Sequence, residues 1–232
     1  MPVTVEYFTD ILCIWAWGNQ IRIEQLRQEL GDDIQLRYRF IPLFADARQH
    51  ILGQWAEKGG FEGFNHHLKD AAQHWDHLTL HPDVWVRTVP ASSTGVHLIL
   101  KAMQLLEERG DISSQANPVY GGRSCFEEFV WRLREAFFRH GDNISERSVY
   151  EHIACELDLE SKDLQEMISN GEAFAALHQD DVAKQRYKVH GSPTMVLNEG
   201  RQLLYGNVGY RIIEVNVREL LRNPMQGEAS WC

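Results

Sequence analysis

The chain is predicted to be an α/β protein in which a β-α-β opening and a β-β-α ending enclose a large all-helical insertion. Three observations predict it. The N-terminal forty-odd residues alternate between strand-like and helical patterns, positions 49–180 carry helical periodicity with hardly a strand signal, and two short strand-like runs return near the end. This reading assigns 1–48 and 181–232 to one domain and 49–180 to the insertion.

The first strand is "PVTVEYF", where β-branched and aromatic residues alternate until Thr9-Asp10, a pair suited to turns and helix caps. From Ile14 the apolar residues Trp17, Ile21, Leu26 and Leu30 recur near helical spacing, and "LGDD" closes the segment. "IQLRYRFIPLF" reads as a second strand ended by Pro42. Helical segments follow in "STGVHLILKAMQLLEERG", "CFEEFVWRLREAFFRHG", "SERSVYEHIACELDL" and "SKDLQEMISNGEAFAALHQDDVAKQRY", each bounded by Gly, Asn, Asp or Ser. "VPASSTG" is a polar turn that starts the first of them, and Ser145, with Asn143 as the alternative, caps the third. "SPTMVLN" and "RQLLYG", joined by "EG", form a hairpin before the helical "YRIIEVNVRELLRN". The tail "PMQGEASWC" is too short to fold alone.

Composition narrows the function. Of 232 residues, 33 are acidic and 23 basic, a formal charge of −10 that argues against nucleic acid or anionic membrane as partner. The start "MPVTVEYFTD" lacks the basic flank and apolar stretch of a secretory signal, and no run approaches a membrane span, so the expected compartment is the cytoplasm. Exposed aromatic helices would suit a homodimer.

Cys13, Cys125, Cys155 and Cys232 are too sparse for a disulfide scaffold and too widely spaced for structural zinc. Cys13 stands out because it follows the first strand and falls in the first turn of a helix. There the macrodipole and unpaired N–H groups favour a thiolate and would lower the thiol pKa from about 8.5. The competing reading is a small buried hydrophobe. "GSPT" adds weight to the reactive one: Pro193 opens a strand without donating to it, and a cis Ser192-Pro193 peptide would expose backbone groups to an extended ligand.

Together, "DILCIWAW", "GSPT" and the order of elements resemble the DsbA-like branch of the thioredoxin fold. That branch includes FrnE-type dithiol-disulfide oxidoreductases, 2-hydroxychromene-2-carboxylate isomerases and kappa-class glutathione transferases. The resemblance covers nearly the whole chain and implies a thioredoxin-like fold with a helical insertion. It makes Cys13 the attacking cysteine, places Trp15, Ala16, Ser192 and Pro193 at the substrate, and implies a thiol or disulfide as partner. The chain departs from the oxidoreductase motif at two positions, since Ile14 replaces the usual proline and Ala16 the second cysteine. Without that thiol the local two-cysteine cycle cannot close, so release needs glutathione as co-substrate, another external thiol, or Cys232.

The expected activity is therefore thiol-disulfide exchange with no tightly bound cofactor. The alternatives are a glutathione-dependent transferase or isomerase and a redox-inactive binding protein of the same fold. Other signals read as structural. Cys125 and Cys155 are expected to pack, as are most tryptophans. His66, His67, His74, His77 and His81 with Asp70 suit a solvated face better than a metal site. Ser92 and Ser93 are candidate ligand contacts because the insertion of this superfamily faces the cysteine.

Overall fold

The computed structural model describes residues 1–222. Strand β1 (Val3–Thr9) leads into helix α1 (Ile14–Leu30), which turns at Gly31 into β2 (Ile34–Phe40). Helices α2 (Ala47–Trp55), α3 (Gly60–Ala72), α4 (Thr94–Arg109), α5 (Cys125–Arg134), α6 (Arg147–Glu156), α7 (Ser161–Ser169) and α8 (Glu172–Arg186) follow. Helix α5 continues as a π-helical turn over Glu135–His140. Hairpin β3 (Thr194–Leu197) and β4 (Gln202–Tyr205) and helix α9 (Tyr210–Arg222) complete the described chain. The sheet order is β2-β1-β3-β4, with β1 parallel to β2 and the other pairs antiparallel. This is the thioredoxin-like arrangement with its helical insertion.

Helix α1 covers the sheet with Ala16, Trp17, Ile23, Leu26 and Leu30 buried, whereas Ile21 points to solvent. One hydrophobic cluster continues from sheet to insertion. Trp17 stacks on Phe138 at 5.1 Å, and Tyr38 meets Phe126 edge-on at 5.3 Å. Each such ring adds roughly 1.5–3 kcal/mol of burial. On α8, the buried Asp180 accepts from Phe40 N–H, Arg39 and Lys101, and so fastens the insertion to β2.

Several helix limits differ from the sequence reading. The fourth predicted segment is two helices, broken at Asn170-Gly171. Helix α6 starts one residue later than a Ser145 cap would give: Asn143 Oδ1 accepts from Ser145 N–H in a turn of its own, and Glu146 takes the cap position without a side-chain bond. Helix α3 stops at Ala72, so His74, His77 and His81 do not share its face with Asp70. The chain leaves the helix there to lay Trp75 on α1, where Gly18 makes room: a Cβ at that position would lie 3.0 Å from the indole. No cluster of metal ligands occurs among the described residues.

Candidate active site

Register builds the site. Because β1 and β3 are antiparallel with Phe8 opposite Thr194, the end of β1 meets the start of β3, and residues 10–13 face Ser192-Pro193. The Cys13 thiol donates to the Ser192 carbonyl at 3.3 Å, while Asp10 N–H donates to Ser192 Oγ at 3.0 Å. The Ser192-Pro193 peptide is cis. Cys13 occupies the cap position before α1 rather than its first turn, and its own carbonyl accepts from the N–H groups of Ala16 and Trp17.

The ionisation of Cys13 departs from expectation. The residue is only 6% exposed, and burial pushes its thiol pKa up. The Ser192 side chain, the Ala16 N–H and the Arg134 charge pull it down, the Asp10 carboxylate adds to the rise, and the net direction is upward. Desolvation outweighs the helix N-terminus because the sulfur lies beneath the chain rather than at its surface. At rest Cys13 is a neutral thiol.

Beneath it lies a buried polar group. Burial works to raise Asp10, but His97 beside it and the N–H groups of Leu12 and Phe44 hold its carboxyl below the usual value. Those N–H donors lie at 2.8 and 3.1 Å, Ser93 Oγ donates at 2.8 Å, and His97 Nε2 lies 3.6 Å away while accepting from Ile11 N–H. Ser93 Oγ is thus committed to Asp10, and Ser92 Oγ, half-buried beside it, accepts from Thr94 N–H. The sequence reading missed His97. Its signal was a lone imidazole between Val96 and Leu98, inside an apolar run that continues to Leu100.

Trp15 forms the exposed flank. It is 37% exposed, meets Trp75 edge-on at 5.2 Å and lies 6.4 Å from His67, which in turn packs on Trp55. Ala16 is buried, its carbonyl accepting from Tyr7 OH at 3.3 Å. Cys125 is half-buried at the start of α5, and Cys155 is exposed rather than packed as expected. Cys232 and Trp231 lie outside the described residues. A cavity of about 790 Å³, lined by residues such as Gln104, Glu107 and Arg123, sits along the outer edge of β2 and includes none of the Cys13 group.

A family model for the DSBA-like thioredoxin domain matches residues 4–215. The chain belongs to the DSBA-like thioredoxin domain family. Comparison with curated protein sequences finds no significant match. Among solved structures, a probable DsbA oxidoreductase from Streptomyces coelicolor superposes with a TM-score of 0.69 at 14% identity, over 99% of this chain and 94% of that one. The cytosolic disulfide reductase DsbM from Pseudomonas aeruginosa, solved with GSH, gives 0.63 at 19%, over 93% and 99%. A 2-hydroxychromene-2-carboxylate isomerase gives 0.61 at 18%, over 95% and 97%. At these identities the likeness establishes the DSBA-like fold. No described helix is long and apolar enough to cross a membrane.

Proposed function

We propose that this DSBA-like protein is a cytoplasmic thiol-disulfide oxidoreductase that works with one active-site cysteine and an external thiol, glutathione being the natural choice. The observation that carries the reading is the 3.3 Å approach of the Cys13 sulfur to the Ser192 carbonyl at the start of α1. A substrate disulfide entering past Trp15 displaces that bond, and the Ser192 backbone pairs with the incoming chain. Cys13 gives its proton to water and its sulfur attacks R–S–S–R′. A Cys13–S–S–R bond forms, the R–S–S–R′ bond breaks, and R′S⁻ leaves to take up a proton. A glutathione thiolate then attacks the sulfur of R, forming the glutathione–R disulfide and returning the electron pair to Cys13. Ala16 offers no internal alternative. The test is reduction of a glutathionylated peptide with glutathione in excess. Wild type should turn over and Cys13→Ser should not; equal rates would overturn the proposal.

One observation favours a second reading, glutathione-dependent transfer or isomerisation. Cys13 is a neutral donor at rest, as a hydroxyl there would be, and could hydrogen-bond a thiolate supplied by bound glutathione. Activity on an aromatic electrophile that survives in Cys13→Ser would select it.

A further inference from the structure

Arg134 is completely buried, and among the described residues no carboxylate pairs with it. It closes α5 where that helix widens into the π-helical turn, and enters the space between β1 and α1. One terminal nitrogen donates to Thr9 Oγ1 at 2.8 Å, the other donates to Gln20 Oε1, and Nε has no partner. A guanidinium cannot shed its proton in a protein, so this charge persists in a desolvated site with only neutral acceptors.

The groups around it decide what it does. Its charge acts on Tyr7 of β1, on Tyr38 of β2 and on Cys13 at the start of α1. The nearby Asp10 carboxylate already has three donors of its own, Leu12 N–H, Phe44 N–H and Ser93 Oγ. Tyr7 and Tyr38 are buried phenols held neutral, Tyr7 with its pKa pushed up to about 12 by burial. Cys13 is left as the group that can become an anion here, three residues beyond the carbonyl of Asp10 that accepts its N–H.

We propose that Arg134 is the buried countercharge for Cys13, a positioning residue that favours the thiolate whenever the sulfur ionises or leaves a mixed disulfide. The inference rests on Cys13 being the reacting thiol. It accounts for an unpaired buried cation that packing alone leaves costly, and for a site that is neutral at rest yet able to ionise. It also ties the chemistry to the insertion, because Arg134 is carried by α5.

The test is the pH profile of Cys13 alkylation by iodoacetamide, read on the Cys13 peptide by mass, in wild type, Arg134→Lys, Arg134→Gln and Thr9→Val. Loss of an opposing charge raises the pKa of a buried thiol, and each unit is tenfold in thiolate at neutral pH. Arg134→Gln should therefore alkylate about tenfold more slowly at neutral pH, with its profile displaced to higher pH. Arg134→Lys should keep most of the wild-type rate, and Thr9→Val, which loses a bond but no charge, should keep the profile. If Arg134→Gln does not fold, Gln20→Glu pairs the guanidinium with a nearer carboxylate and should slow alkylation in the same direction. A folded Arg134→Gln or Gln20→Glu protein with the wild-type profile overturns the inference while leaving Cys13 as the reacting thiol. A wild-type Cys13 that stays inert until the protein unfolds overturns both.

Discussion

The Cys13 thiol donates to the carbonyl of Ser192, a residue 179 positions further along the chain. That contact joins the start of α1 to the start of β3, where burial keeps the sulfur protonated at rest. Its consequence for stability has a definite sign. A thiol whose pKa is raised by folding contributes stability below about pH 8.5, the range of the free thiol, and loses it as the pH climbs through the folded value. Wild type should therefore lose urea resistance more steeply than Cys13→Ala above that pH. Parallel curves for the two proteins would show that the sulfur is not held neutral.

Trp15 stands at the rim with a third of its surface in water, so its removal should leave the fold intact. Trp15→Ala is expected to raise KM for a disulfide peptide several-fold and to alter kcat less. Unchanged kinetics would remove the indole from the path of the substrate.

Asp180 gathers Arg39, Lys101 and Phe40 N–H on one buried carboxylate. Burial pushes the Lys101 pKa down while Asp180 supports its charge. Deleting one partner of such a group costs about 3–5 kcal/mol, because a buried charge is left alone. Asp180→Ala should shift the denaturant midpoint accordingly, and Asp180→Ala with Lys101→Met should recover part of the loss. Additive losses would contradict the pairing.

Glu107 lies beside the β2 cavity, and burial raises its carboxyl pKa to about 7. Its Oε1 is buried without a partner. Raised above the unfolded value, this carboxyl costs nothing below about pH 4.3, and the cost grows until the pH passes the folded value. Glu107→Gln should thus stabilise the protein at pH above 7, by about 1 kcal/mol after allowing for its partial exposure, and have little effect near pH 4. An equal effect at both pH values would be the contrary result.

How much of this was readable beforehand follows the range of the forces. "PVTVEYF", the "LGDD" stop and the "EG" hairpin are local signals, and each element formed where its own residues asked for it. Cys13, Ser192 and Pro193 were readable as a motif, and strand register brought them together. The state of the sulfur was not readable. It depends on desolvation by residues 80 to 180 positions away, and α1 viewed alone offers a helix N-terminus open to water. Arg134 was hidden for the same reason, since nothing in "WRLREAFF" says that a charged residue will be drawn under α1. Helix α3 ends at Ala72, within the histidine-rich stretch, and where Trp75 then packs, on Gly18, is a tertiary contact that no local signal shows.

The central claim is that Cys13 carries the exchange chemistry, and the direct measurement is peptide-by-peptide mass after brief exposure of the folded protein to oxidised glutathione. The account predicts a glutathione adduct on Cys13, formed faster than on the surface thiol of Cys155 and reversed by reduced glutathione. Adducts confined to Cys155, with Cys13 unmodified until denaturant is added, would contradict it.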